Sequence, residues 1–112
     1  MANPAWTEEE LILAYHVCKK LEGQNLSSDM HDVIALSEQL NRLPIHDVSR
    51  RDRQFRNPDG VRRRINYLRQ IERGEEVKGR DLYKEVVSRY CDAPNRLEID
   101  ANRIRERYRA SK

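Results

Sequence analysis

The 112-residue sequence predicts a small all-α domain of four or five helices with a helix-turn-helix-like core. Apolar residues recur every three or four positions in five separate segments, and helix-capping residues precede several of these segments. No segment alternates apolar and polar residues over the length of a β-strand. A chain of this length typically builds one compact core. We therefore expect residues 1–112 to form a single helical domain.

The first predicted helix has the clearest start signal. Thr7 and Glu10 have the spacing of a capping box, in which each side chain accepts a hydrogen bond from the other residue's backbone N–H. Trp6 and Leu11 flank the box at the spacing of a hydrophobic staple. We therefore expect Trp6 to pack in the core rather than to stack on a base. Gly23 marks the end of this helix.

The second predicted helix begins at Ser28 or Asp29 and ends near Asn41. The Leu-Pro pair at 43–44 stops it, because a residue that precedes proline avoids the helical conformation. Residues 45–56 are mostly polar and rich in arginine, which predicts a loop that packs at its ends.

The third predicted helix begins at Asn57-Pro58, a capping residue followed by proline in the first helical position, and ends at Gly74. Its arginine and amide side chains lie off its apolar stripe. A fourth helix runs from about Asp81 to Tyr90, and a fifth begins near Pro94. The apolar stripes of these three helices are Val61, Ile65, Leu68 and Ile71; Leu82, Tyr83, Val86, Val87 and Tyr90; and Leu97, Ala101, Ile104 and Tyr108.

Charge is distributed unevenly along the chain. Residues 1–41 carry a net charge of −5, residues 42–73 carry +6, and residues 74–112 carry +2, which together give the net charge of +3. All ten cations of the middle third are arginines. The planar guanidinium matches phosphate and the guanine edge, whereas lysine is a hydrated point charge. This choice of residue favours contact with nucleic acid over an ordinary solvated surface.

The residues that most catalytic or metal sites need are missing or scattered. Cys18 and Cys91 lie far apart in the sequence, and His16, His31 and His46 are dispersed, so four zinc ligands do not cluster. No glycine-rich phosphate loop or Ser-His-Asp arrangement is present. We expect no enzyme activity from this chain, no cofactor and no metal. The absence of a long apolar run and the acidic N-terminus predict a cytoplasmic domain without a membrane partner.

Our leading hypothesis is that the Arg-rich loop 50–56 and the helix 57–73 bind double-stranded DNA. Loop arginines would contact phosphates and fix the register, while two or three side chains of the helix would reach base edges in the major groove. The free N–H groups at the helix start also suit phosphate. The candidate DNA-binding residues are Arg50, Arg51, Arg53, Arg56, Asn57, Arg62, Arg63, Asn66, Tyr67 and Arg69.

Three motifs occur in a characteristic order. They read NPAWT followed by EL within residues 3–11, LSEQLNRLP at 36–44, and FRNPDGV at 55–61. Together they resemble the N-terminal helical domain of McrA-like, modification-dependent HNH restriction endonucleases. The similarity continues into GRD at 79–81 and DAPNRL at 92–97, so it spans almost the whole chain.

The resemblance implies a bacterial defence protein, specifically the DNA-recognition domain that an HNH nuclease domain normally follows. Members of the family cut DNA that carries modified bases such as 5-methylcytosine or 5-hydroxymethylcytosine. The nuclease motif is missing from this sequence, so the resemblance implies recognition without cleavage. A 5-methyl group projects into the major groove as that of thymine does, where an arginine bonded to guanine can lie against it. Base flipping is the other mode, with Tyr67 as its one plausible aromatic residue.

The sequence also supports two other hypotheses about function. The WTEEE start at 6–10 also looks like Myb/SANT-type three-helix domains, which read unmodified sequence with their third helix. Alternatively, the acidic first third could dock on the basic middle of a second copy, which would make the chain a protein-interaction module and a homodimer.

Overall fold

The computed structural model of the protein describes residues 3–110. Five helices lie in this range, and no strand does. They are α1 (Glu8–Lys20), α2 (His31–Arg42), α3 (Pro58–Glu72), α4 (Asp81–Tyr90) and α5 (Pro94–Ala110), with a single 3-10 turn at Val48–Arg50. The predicted all-α class is confirmed.

Helix α1 is the centre of the fold and contacts each of the other four helices. Every residue from Leu11 to Cys18 is buried, as expected for a helix surrounded by protein. The predicted capping box is present, since the Glu10 N–H donates to the Thr7 hydroxyl at 3.2 Å and the Thr7 N–H donates to the Glu10 carboxylate at 3.0 Å. Trp6 is buried in the core, as predicted.

Helix α2 begins two or three residues later than the capping pattern predicts. Its N-cap is Met30, which makes no side-chain cap. The Asp29 carboxylate instead accepts a hydrogen bond from the Ser27 hydroxyl, in the turn that precedes the helix. The predicted cap is therefore used within that turn, and the first helical residue is His31.

Helix α3 packs against α1, α2 and α4 through Val61, Ile65 and Leu68. Its start is as predicted, because the Asn57 side chain accepts a hydrogen bond from the Gly60 N–H at 2.8 Å. Residues 43–57 connect α2 to α3, which is longer than the turn of three or four residues in a helix-turn-helix motif. A turn of that length, at 91–93, joins α4 to α5 instead.

Helices α4 and α5 close the other side of the core with apolar residues at the predicted positions. The buried ones are Tyr83, Val86, Val87 and Tyr90 on α4, and Leu97, Ala101 and Ile104 on α5. Within residues 3–110, no helix combines the length and the apolar character that a membrane crossing requires.

Candidate nucleic-acid interface

The start of α3 lies in a strongly basic part of the chain. Between residues 53 and 71 six arginines stand against a single carboxylate, Asp59. The structure divides the predicted DNA-binding residues into two groups. One group binds the protein's own backbone and carboxylates, and the other faces solvent.

Arg56 belongs to the first group and differs most from its predicted role as a phosphate contact. Its guanidinium bonds both oxygens of Glu10, at 2.7 and 3.0 Å, and only 3% of its side chain is exposed. It also donates to the carbonyls of Pro4 and Ala5 and lies over the Trp6 ring. Burial and a carboxylate partner leave Arg56 no face for DNA, so we assign it a structural role.

Arg51 also turns back onto the protein. Its two terminal nitrogens donate to the carbonyls of Asn41, Leu43 and His46, at 2.8, 2.9 and 2.6 Å. Carbonyls at the end of a helix lack intrahelical partners, and a cation also suits the helix dipole there. Arg51 therefore caps the C-terminal end of α2 and stabilises the loop that follows.

Arg69 does the same for α1. It donates to the carbonyls of Leu21 and Gln24, at 2.8 and 2.7 Å, from a half-buried position on α3. This contact joins α3 to the end of α1. Arg69 and the two carbonyls are more than 40 positions apart in the sequence.

We expect Arg69→Met to lower the free energy of unfolding by about 1–3 kcal/mol, because two charged hydrogen bonds to backbone carbonyls are lost. Its affinity for DNA should stay at the wild-type value. Arg53→Met is the matched control and should do the opposite. Because Arg53 is exposed, this change should lower the affinity for DNA and leave the free energy of unfolding nearly unchanged. Urea unfolding and a gel shift, run on both variants, measure the two quantities. A loss of DNA affinity by a stable Arg69→Met variant would return Arg69 to the interface.

The second group lies at the surface around the start of α3, where Arg62 is half-buried and the other three arginines are exposed. Arg50 and Arg53 are exposed and form no ion pair within residues 3–110. Arg62 and Arg63 share the Asp59 carboxylate, at 3.0 and 3.6 Å. One carboxylate cannot neutralise two guanidinium groups, and such exposed pairs are weak. These four arginines therefore leave a net positive surface.

Asn57 and Asn66 differ in how far their amides are used. The Asn57 side chain is occupied as the cap of α3 and by Gln54. Asn66 is half-exposed and its amide has no hydrogen-bond partner within the part of the chain that the structure describes. Asn66 follows Arg62 by four residues and Arg63 by three, so the three side chains share one face of α3.

Tyr67 lies beside two arginines that the sequence analysis did not select. The Arg80 guanidinium is 3.9 Å from the centre of the Tyr67 ring, and Arg64 lies 5.9 Å from it. Hydrogen bonding and the charge of Arg80 lower the pKa of the Tyr67 hydroxyl. Tyr83 meets the same ring edge to face, at 6.4 Å. Arg80 belongs to the GRD motif at 79–81, to which the sequence alone gives no binding role, and it stands in the turn before α4.

An open groove of about 800 Å³ lies next to these residues. Its walls come from three separate segments, which are residues 3–6, residues 54–64 and residues 80–83. The charged side chains that line it are Arg56, Asp59, Arg63, Arg64, Arg80 and Asp81. Since Arg56 is neutralised by Glu10, the groove owes its positive character to the other three arginines.

The acidic side chains of α1 are used within the chain. Glu8 pairs with Arg89, and Glu9 pairs with Arg107. The acidic first third therefore neutralises distant basic residues of α4 and α5. Fewer of its charges remain for docking on a second copy.

No group of three or more histidine, cysteine or carboxylate side chains in residues 3–110 is placed to hold a metal ion. Comparison with known proteins gives no match, since no family model, curated protein or solved structure is significantly similar to the chain. What the surface can bind therefore follows from its own residues and their chemistry.

Proposed function

We propose that the chain binds duplex DNA through the outer face of α3 and the exposed arginines that precede it. The observation that carries the proposal is a group of four surface arginines, Arg50, Arg53, Arg62 and Arg63, of which only Arg62 and Arg63 are ion-paired within residues 3–110, both to Asp59. Such a group supplies the charge that phosphate binding requires. The free amide of Asn66 on the same helix face adds a group that can read a base edge.

The dimensions of α3 suit this role. Its 15 residues extend over about 22 Å, and the major groove of B-DNA admits one α-helix. The inner face of α3 packs on three other helices, so only its outer face is free for DNA. On that face Arg62, Arg63 and Asn66 would meet the bases, while Arg50 and Arg53 would contact phosphates. Arg51, Arg56 and Arg69 are no longer part of the proposed surface.

We further propose a preference for modified cytosine, 5-methylcytosine or 5-hydroxymethylcytosine, as in the recognition domain of a modification-dependent restriction system with a separate HNH nuclease domain. The motif resemblance and the arginines of α3 support it. A guanidinium that bonds guanine presents its flat face to a neighbouring base, and a 5-methyl group in the major groove extends the apolar surface there.

Gel-shift titrations of Arg62→Ala and Arg63→Ala on methylated and unmodified duplexes test both parts. Loss of a base-reading arginine should cost about 1–3 kcal/mol and remove the preference, whereas loss of a phosphate contact should weaken all sequences alike and flatten the salt slope by about one. Arg103→Ala is the matched control, because Arg103 is an exposed arginine of α5, away from α3.

Each failure of this test has a distinct meaning. Equal affinity for methylated and unmodified duplexes defeats the preference for modified cytosine. Sequence-selective binding of unmodified DNA would then favour the Myb/SANT-like alternative. No binding to any duplex, combined with salt-sensitive self-association in light scattering, would favour the protein-interaction module.

A further inference from the structure

The groove beside Tyr67 has more cations than carboxylates: besides Arg56, which Glu10 neutralises, Arg63, Arg64 and Arg80 stand against Asp59 and Asp81. Arg64 and Arg80 form no ion pair within residues 3–110, and the Nε atom of each is buried without a hydrogen-bond partner. Aromatic rings hold the two guanidinium groups instead. Arg80 lies over Tyr67 at 3.9 Å, and Arg64 lies 5.9 Å from Trp6.

The first turn of α4 supplies a second feature of the groove. Its N-cap, Arg80, makes no side-chain cap, so no side chain satisfies the free N–H groups of this turn. Asp81, Leu82 and Tyr83, the first three residues of the helix, all line the groove. Uncapped N–H groups and the positive end of the helix dipole favour an anion, although the exposed carboxylate of Asp81 in the same turn meets part of that preference. The start of α3 differs, because Asn57 already caps it.

The charge and the shape of the groove point to one class of ligand. A phosphate that lies between Arg64 and Arg80 would receive charged hydrogen bonds from their terminal nitrogens and further bonds from the start of α4. The volume of the groove, about 800 Å³, exceeds what a phosphate needs. Pro4, Trp6 and Leu82 also line the groove and add apolar surface beyond the cations. That combination suits a phosphate joined to a sugar and a base.

We propose that this groove binds a nucleoside phosphate, whose phosphate lies between Arg64, Arg80 and the start of α4. The ligand can be a free nucleotide or one nucleotide of a nucleic-acid strand, which share this chemistry. The site goes beyond the proposed binding of duplex DNA, because neither Arg64 nor Arg80 belongs to the α3 face that reads the duplex.

The test uses the full chain and its single tryptophan, Trp6, which lines the groove and reports binding by fluorescence. A deoxynucleoside 5′-monophosphate should bind and change this fluorescence, and the nucleoside without phosphate should bind at least about tenfold more weakly. Arg64→Gln and Arg80→Asn should each weaken the nucleotide by about tenfold or more. Asparagine is chosen at 80 because it tolerates the left-handed backbone there, where φ is 57°.

Arg103→Gln is the control for general charge and should bind the nucleotide as wild type does, and thermal unfolding checks that each variant folds. Equal binding of nucleoside and nucleotide overturns the proposal, as does wild-type affinity in both Arg64→Gln and Arg80→Asn. A short single-stranded oligonucleotide distinguishes the two sources. If Arg80→Asn weakens the oligonucleotide as well, the groove takes a nucleotide of a strand; if only the mononucleotide is weakened, it takes the free ligand.

Failure here and failure of the duplex proposal are distinguishable. Arg62→Ala changes duplex binding alone, and Arg80→Asn changes nucleotide binding. The duplex proposal stands if the nucleotide does not bind but the gel shift does respond to Arg62→Ala.

Discussion

Replacing Arg56 by methionine is expected to lower the free energy of unfolding by about 3–5 kcal/mol, the usual cost of removing one partner of a buried ion pair. The remaining carboxylate of Glu10 is only 1% exposed and would lose two charged hydrogen bonds. His46, at 2.9 Å from Glu10, is its only other charged or titratable partner among the described residues. For a domain of this size the loss corresponds to a fall in Tm of at least about 12 °C.

The Glu10–Arg56 pair also links α1 to the residue that precedes the cap of α3. Burial alone would raise the pKa of Glu10, but hydrogen bonds from Arg56, from the Thr7 N–H and from His46 outweigh it and lower the pKa. The Glu10 carboxylate on α1 is therefore held ionised against Arg56, the residue that precedes the α3 cap. Because Arg56 also bonds the carbonyls of Pro4 and Ala5, it fixes one wall of the groove.

A double-mutant cycle separates this pair from ordinary loss of packing. Glu10→Gln with Arg56→Met removes both charges, so the combined loss should be well below the sum of the two single losses. Arg53→Met, an exposed arginine three residues away, should change stability by no more than about 0.5 kcal/mol. Additive losses in urea unfolding would show that the two side chains do not act as a pair.

The helices could be predicted from the sequence because their signals are local. The Thr7–Glu10 capping box and the Asn57 cap each involve residues three apart, and the structure has both where the spacing indicates. The start of α2 was predicted too early, since Asp29 has two local uses and the sequence does not choose between them. Local patterns therefore predict where most helices lie and are weakest where a polar residue can cap either a helix or a turn.

The roles of individual arginines could not be predicted in the same way. Arg53 and Arg56 look alike in sequence, yet one is exposed and the other pairs with Glu10, 46 positions away. The difference arises from tertiary placement, which composition and spacing do not encode. The groove is a stronger case, because its walls come from three segments and its cations Arg64 and Arg80 are 16 residues apart. The prediction of a basic region at α3 located the surface but not the residues that remain available on it.

His16 provides the second large effect, a loss of stability in mild acid. Burial, and after it the charges of Arg105 and Lys20, lower the pKa of His16 to about 4, against a smaller opposite influence of Glu98. The Arg105 guanidinium lies 3.2 Å from Nδ1 of His16, where it can donate only to a neutral ring. An unfolded chain binds a proton at His16 below about pH 6.5, whereas the folded chain excludes it until about pH 4.

Stability should therefore be constant above pH 6.5 as far as His16 is concerned, and should fall as the pH drops towards 4. Between pH 7 and pH 5 the loss should amount to about 1–2 kcal/mol, allowing for the solvent that still reaches the ring. His16→Asn should remove this pH dependence, because an amide oxygen can accept from Arg105 but does not titrate. Urea unfolding at several pH values measures it.

His31→Asn is the matched control, because the His31 side chain is 94% exposed and its replacement should leave the pH profile unchanged. The lowered pKa of Glu10 acts in the same direction, but only at lower pH, since its carboxylate has an ordinary pKa of 4.5 and stays ionised above it. Measurement above pH 5 thus excludes Glu10, and the difference between wild type and His16→Asn assigns the remaining effect to His16. An unchanged slope in His16→Asn would mean that His16 is solvated and protonates in the folded chain, and that Arg105 does not depend on it as an acceptor.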